Sequence, residues 1–134
     1  MIACNELRLG NRVLVNGNLH KVSQINGTTV FTIDADESNG LPATEHRPEQ
    51  LQPVPMTNEL LKQCGFVFND YFKFWQLKAS GNRSEIDIDR DFDVIDFMRR
   101  PILRNLLSLH QLQNVFFMLK GREMTLFNMT VAKV

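Results

Sequence analysis

The sequence predicts an α+β fold in which an N-terminal antiparallel β-meander precedes an antiparallel sheet with two helices. Asn16-Gly17 and Asn26-Gly27 separate short runs rich in Val, Ile, Thr and Phe, which is the pattern of tight β-hairpins. Apolar and polar residues alternate again in the second half of the chain. A segment with helix start and stop signals follows at residues 108–121. These three observations define the fold class.

The first strands of the meander are predicted over Arg12–Val15, Leu19–Ile25 and Thr28–Ile33. Short strands that follow a glycine, as the predicted strand Arg12–Val15 follows Gly10, resemble the first strands of a small SH3-like barrel. Residues 34–52 are mostly polar and include two prolines, so they are predicted to form a long exposed loop. Residues 1–52 are therefore interpreted as a β-rich N-terminal subdomain.

Residues 53–134 are interpreted as an α+β C-terminal subdomain that forms one compact unit with the first. Thr57 can cap a short helix over residues 58–64, and Gly65 can end it. Further strands are predicted over Phe66–Phe68, Tyr71–Lys78, Glu85–Phe97 and Met124–Val131.

The clearest helix signal lies near the end of the chain. Ser108 followed by Gln111 fits a capping box, and Gly121 can take the left-handed conformation that closes a helix. The apolar residues at helical spacing, which are predicted to enter the core, are Leu109, Leu112, Val115 or Phe116, and Leu119. A longer helix over Ile102–Lys120, entered after a proline, is the alternative, and the start at Ser108 is favoured.

Size and charge limit the possible functions. The chain has 134 residues, enough for one domain to bury a core without disulfides. Its 15 basic and 15 acidic residues cancel, so the overall charge of a dedicated nucleic-acid binder is missing. We find no signal peptide and no apolar run of membrane-spanning length, and we expect a cytoplasmic protein without a membrane partner. Cys4 and Cys64 are expected to be reduced thiols.

Several short segments follow one another in a specific order. They are Asn5 to Asn11, Leu51 to Thr57, Cys64 to Phe66, His110 to Asn114, and Gly121 to Thr125. In these segments, which together span most of the chain, the sequence resembles a group of short uncharacterised proteins from Bacteroides-like bacteria and their phages. The resemblance implies a shared architecture and a phage or mobile-element context, and it transfers no activity and no site residue. Arg122 stands where such proteins often have glutamate.

An acidic run over residues 85–93 is the candidate metal site. Asp87, Asp89 and Asp91 alternate along it, and clustered carboxylates are what calcium or magnesium requires. An EF-hand loop that starts at Asp87 would need glycine at its sixth position, where Phe92 stands. We therefore favour a solvated edge of the sheet, which also discourages edge-to-edge pairing.

Catalytic motifs are missing from the sequence: there is no nucleophile elbow, phosphate loop or dinucleotide fingerprint. The histidines are His20, His46 and His110. They are separated in the sequence and lack partners at metal-ligand spacing, so no zinc site is predicted. Cys64 lies at a helix C-terminus, whose dipole disfavours a thiolate. The sequence favours a protein that is not an enzyme, and we expect no cofactor.

The candidate binding residues include an aromatic and basic face on one predicted strand, formed by Tyr71, Lys73 and Trp75. Such interleaving is typical of single-stranded nucleic-acid binders, although aromatic strand faces usually pack inside a protein. In the last helix, the residues with no assigned role in folding are Gln113, Asn114 and Phe117, and they are predicted to contact a partner. Candidate phosphate contacts are Arg99, Arg100 and Arg104.

The leading hypothesis is a non-enzymatic accessory or interaction module, of phage or mobile-element origin, that binds a protein partner or itself. The first alternative is a nucleic-acid-binding protein that uses the aromatic and basic strand face. The second alternative is a metal-binding protein or small metal-dependent enzyme that uses the acidic run.

Overall fold

The computed structural model describes residues 1–35, 42–78 and 84–126. Within these residues the secondary structure consists of antiparallel strands in two sheets, two α-helices and short 3-10 turns. This result confirms the predicted α+β class and the N-terminal meander. None of the helices in the described residues is long and apolar enough to cross a membrane.

The chain separates into two compact units. Among the described residues, unit 1 consists of residues 1–35, 42–54 and 108–114, and unit 2 of residues 55–78, 84–107 and 115–126. The sequence predicts a division between residues 52 and 53, whereas the units divide after Val54. Unit 1 also includes Ser108–Asn114, a segment that the sequence assigns to the second half of the chain.

Unit 1 contains a curled half-barrel of five antiparallel strands. The strands are β1 (Arg12–Val15), β2 (Asn18–Asn26), β3 (Thr29–Asp34), β4 (Thr44–His46) and β5 (Leu51–Gln52), in the order β4-β3-β2-β1-β5. Asn16 and Gly17, with φ of +50° and +79°, form the tight turn between β1 and β2 that their sequence predicts. The core beneath the sheet consists of Ile2, Leu7, Val13, Val15, Val22, Val30 and Leu51.

Regular structure occurs where the sequence predicts a long exposed loop, over residues 34–52. In the described part of that segment, β4 pairs with β3, a 3-10 turn covers Pro48–Gln50, and β5 pairs with β1. Both strands are at sheet edges, and two of the three β4 residues are exposed. A strand of this kind lacks the apolar alternation from which strands are predicted. Residues 36–41 lie outside the described residues.

Unit 2 begins with α1 (Asn58–Gln63), which has the predicted caps. The backbone N–H of Leu60 donates to the Thr57 hydroxyl at 3.1 Å, and Gly65 has a φ of +94°. A second antiparallel sheet follows, in the order β10-β9-β8-β7-β6. Its strands are β6 (Val67–Asn69), β7 (Phe74–Lys78), β8 (Ser84–Asp89), β9 (Val94–Ile95) and β10 (Pro101–Leu103).

Three predicted strands in this region have the wrong extent. The strand predicted from Tyr71 begins only at Phe74, because the preceding turn is longer than two residues. The strand predicted over residues 85–97 is two strands separated by a turn, in which Phe92 has a φ of +61°. Residues 124–126 of the predicted last strand are not in a strand, and residues 127–131 lie outside the described part.

The last helix, α2 (Leu109–Lys120), begins directly after Ser108 and is closed by Gly121 at a φ of +71°, as predicted. The alternative start at Ile102 is wrong because that residue lies in β10. The buried apolar residues of the helix are Leu109, Leu112, Val115 and Phe116. Leu119 is 42% exposed, so its predicted place in the core is wrong.

His110, in the first turn of α2, is only 3% exposed. Its Nδ1 lies 3.1 Å from the Ser108 hydroxyl, and its Nε2 has no hydrogen-bond partner among the described residues. Burial lowers the pKa of this imidazole below its ordinary value of 6.5, although the charge of Glu6 opposes the shift. A neutral ring is therefore favoured in the folded chain.

We expect the free energy of unfolding to decrease as the pH falls below about 6.5, because the unfolded chain then binds more protons than the folded chain. The pKa values of His20 and His46 are also lowered by burial, so their effects have the same sign. Urea unfolding at several pH values between about 5.5 and 7.5 measures the slope. The His110→Gln variant should have a smaller slope than the wild type, and equal slopes would contradict the assignment.

Candidate partner-binding surface

Two turns of unit 2 hold large apolar side chains at the protein surface. The first turn joins β6 to β7 and is fixed by Asn69, whose Oδ1 accepts hydrogen bonds from the N–H groups of Tyr71 at 3.0 Å and Phe72 at 2.9 Å. The N–H of Lys73 donates to the Asn69 carbonyl at 2.7 Å, and Lys73 has a left-handed φ of +63°. This local bonding fixes the turn in the manner of an Asx-turn and leaves the Tyr71 ring 85% exposed.

The second turn joins β9 to β10 and is organised by Asp96. Its carboxylate accepts hydrogen bonds from the N–H groups of Met98 and Arg100, both at 2.9 Å, and from Arg100 Nε at 3.1 Å. These hydrogen bonds lower the pKa of Asp96, and the bond from the backbone N–H of Arg100 has the largest effect. Arg99 takes a φ of +61°, and the intervening Phe97 side chain is 89% exposed.

The two turns meet through an arginine that stacks on aromatic rings. The guanidinium carbon of Arg99 lies 5.0 Å from the ring centroid of Phe72 and 5.8 Å from that of Phe74. Phe72 also packs edge to face with Tyr71, at 4.8 Å between centroids. Cation–π and aromatic contacts of this kind fix side chains that would otherwise be mobile. We call Tyr71, Phe72, Phe97, Met98 and Arg99 the turn surface.

A depression of about 490 Å³ adjoins the turn surface at Phe72. Its other lining residues are Lys73, Asp89, Arg90 and Asp91. Asp89 Oδ1 accepts the N–H groups of Asp91 at 2.9 Å and Asp93 at 3.0 Å, so this carboxylate organises the turn between β8 and β9. The depression therefore combines an aromatic wall with charges of both signs.

The prediction that Tyr71, Lys73 and Trp75 share one strand face is wrong. Tyr71 and Lys73 lie in the turn, and Trp75 lies in β7 with 5% of its surface exposed. The indole packs edge to face on Phe68, at 5.2 Å between ring centroids. The residues before Phe74 belong to the turn, and so the period-two pattern does not apply to them. Of the three, Tyr71 is part of the turn surface, and Lys73 lines the adjacent depression.

The three predicted phosphate contacts have different surroundings. Arg99 stacks on the aromatic rings, whereas Arg100 forms an ion pair with Asp96 and Arg104 is exposed in the segment after β10. The side chains of Arg99 and Arg100 are thus already used in contacts within the protein. The stacking of Arg99 and the ion pair of Arg100 are therefore not evidence for a phosphate-binding site.

The acidic run does not converge on a metal site in the described residues. Asp87 accepts a hydrogen bond from the Ser84 hydroxyl, Asp89 bonds to the backbone of its turn, and Asp91 is exposed. The described part of the chain contains no group of three or more His, Cys, Asp or Glu residues that could hold a metal ion. Asp87 and Asp89 thus have structural contacts that the sequence could not reveal.

Two residues predicted to be free for a partner have structural roles in unit 1. Gln113 Oε1 accepts the N–H of Arg12 at 2.8 Å, and its Nε2 donates to the Gly10 carbonyl at 3.1 Å. Only 3% of Gln113 is exposed. Gln113 lies four residues after Leu109 and therefore on the buried face of the helix. This spacing could have indicated from the sequence that Gln113 is buried.

Asn114 joins the same segment of the chain. Its Oδ1 accepts hydrogen bonds from Arg8 Nη1 at 2.6 Å and Asn11 Nδ2 at 2.9 Å, and its Nδ2 donates to the Glu6 carbonyl at 2.8 Å. We call the bonds from Gln113 and Asn114 to residues 6–12 the amide clasp. The prediction that these two amides lack a structural role is therefore wrong. Phe117, the third predicted residue, is 40% exposed.

No protein-family profile, curated protein or solved structure matches the chain.

The Asn114→Ala substitution should lower the free energy of unfolding by about 1–3 kcal/mol, because it removes the bonds to Arg8 and the Glu6 carbonyl and takes away the partner of the buried Asn11 side-chain N–H. Met118→Gln, at an exposed position of the same helix, is the matched control and should change stability by less than about 0.5 kcal/mol. Urea unfolding followed by Trp75 fluorescence measures both. Equal stability of the two variants would show that the amide clasp contributes nothing.

Proposed function

We propose that this protein is a non-enzymatic interaction module that binds another protein through the turn surface. The proposal rests on one observation: two large apolar side chains, Tyr71 and Phe97, are held almost fully exposed on turns with bonded backbones. Interface hot spots are enriched in aromatic residues and arginine. Because these turns are already ordered, binding would cost less conformational entropy than it would on a loop that must first be fixed.

The charges near the turn surface support a protein partner over a nucleic acid. Lys73 and Arg90 lie in the depression beside Asp89 and Asp91. The two carboxylates would repel a phosphate backbone, whereas a protein can present complementary charges of both signs.

Two groups that could take part in catalysis lie in unfavourable surroundings, which supports the non-enzymatic part of the proposal. Burial raises the pKa of the Cys64 thiol to about 12, so a nucleophilic thiolate is disfavoured. His110 is buried as well, and a general base must reach the substrate proton within hydrogen-bond distance.

Photo-cross-linking in the native host tests the proposal. A photoreactive phenylalanine analogue placed at Tyr71 or Phe97 should give an adduct with the same protein, because both side chains point away from the fold. The analogue at Gln24, an exposed position of unit 1, is the control and should give no such adduct.

The adduct must also correspond to reversible binding. A Tyr71→Ser/Phe97→Ser double variant should bind the identified partner at least about tenfold more weakly while keeping its melting temperature. The proposal fails if neither position cross-links, or if all three positions give the same products.

Fluorescence anisotropy with labelled single-stranded and double-stranded DNA distinguishes the nucleic-acid alternative. We expect no saturable binding at either about 50 or about 200 mM salt, because the depression contains carboxylates. Affinity that falls steeply with salt, and that is lost in a Lys73→Ala/Arg90→Ala variant, would instead support a nucleic-acid-binding protein.

A further inference from the structure

Two histidines of unit 1 that the sequence treats as separated lie side by side. The ring centroids of His20, in β2, and His46, in β4, are 6.1 Å apart, and the ring planes are at 87° to each other. Strand order brings them together, because β3 lies between β2 and β4 and pairs with both. Distance along the sequence therefore gives no guide to distance across this sheet.

Strand register explains why the two rings share a face. His20 is paired with Asp34 and His46 with Val30, and Thr32 lies between these two β3 positions. Since side chains alternate along a strand, residues 30, 32 and 34 of β3 point to the same face. Thr32 is therefore placed between the imidazoles.

Each imidazole is oriented by a threonine hydroxyl. Nδ1 of His20 lies 2.8 Å from the hydroxyl of Thr32, which is fully buried, and Nε2 of His46 lies 2.8 Å from the hydroxyl of Thr44. The second ring nitrogen of each histidine has no hydrogen-bond partner among the described residues. This pattern, with one nitrogen held by a neighbouring group and the other available, is that of metal-binding histidines.

The separation of the rings also suits a shared ion. A zinc ion bound about 2.1 Å from a ring nitrogen lies about 3.2 Å from that ring's centre. Two such rings have centres about 5.2 Å apart at a tetrahedral angle and about 6.4 Å apart when opposed. The observed 6.1 Å between the ring centroids falls within this range.

Charge and accessibility favour the same conclusion. Both histidines are partly exposed, so water can occupy the remaining coordination positions. Burial lowers the pKa of His20, and the carboxylate of Asp34, a negative charge close to the ring, partly opposes this shift. The net shift favours the neutral imidazole that ligates a metal.

We propose that His20 and His46 form a two-histidine site for a divalent transition-metal ion of the zinc or nickel class, with solvent oxygens as the other ligands. Imidazole nitrogen is a preferred ligand for these ions. With two protein ligands, binding should be weaker than at a structural site with four. The site lies in unit 1 and does not depend on the turn surface.

Isothermal titration of the full chain with zinc or nickel chloride near pH 7.5 tests the site. We expect one ion per chain, released by a chelator, and an affinity at least about tenfold lower in either His20→Asn or His46→Asn. Cys4→Ser removes a partly exposed thiol of the same unit and should leave the affinity unchanged. Thr44→Val should weaken binding about threefold to tenfold, since it removes only the hydroxyl that orients His46.

Nitrogen-15 NMR of the histidine side chains gives a second readout that does not depend on the variants. Added metal should shift the ring resonances of His20 and His46 and leave those of buried His110 unchanged. Absence of heat and of shifts at millimolar metal would overturn the proposal. Equal affinity in the wild type and both histidine variants would also overturn it, because the ion would then be bound elsewhere.

Discussion

The amide clasp is the constraint on which unit 1 depends. Buried main-chain polar groups must be hydrogen-bonded, and the segment over residues 6–12 leads from a 3-10 turn into β1 without a regular ladder along its whole length. Gln113 and Asn114 supply partners to this segment from a helix that is about a hundred residues away in the sequence. Asn11 is fully buried and its side-chain N–H is bonded to Asn114, so loss of that amide would leave a buried donor without this partner.

The amide clasp also joins two segments that are far apart in the sequence. These are the segment from Asn5 to Asn11, which precedes β1, and the segment from His110 to Asn114, in the first half of α2. In the fold, their amide and guanidinium side chains bond to one another. Each segment therefore provides hydrogen-bond partners for the other.

Features set by neighbouring residues could be predicted from the sequence, and features set by strand register could not. The Thr57 cap, the Asn16-Gly17 turn and the Gly121 stop depend on backbone conformations that a few adjacent residues determine. The burial of Trp75 depends on where the turn before β7 ends. The short distance between the His20 and His46 rings depends on β3, which lies between their strands. Of the turn surface, the sequence analysis named Tyr71 and Arg99 as candidate binding residues and did not name Phe72, Phe97 or Met98.

The boundary between the two units falls inside α2, between Asn114 and Val115. Unit 1 is therefore not a continuous piece of chain, because it includes the buried Leu109 and Leu112 of α2. During synthesis, the half-barrel strands emerge from the ribosome early, but the helix that supplies their last partners emerges only after all of β6 to β10. Completion of unit 1 thus has to wait until the first half of α2 has been translated.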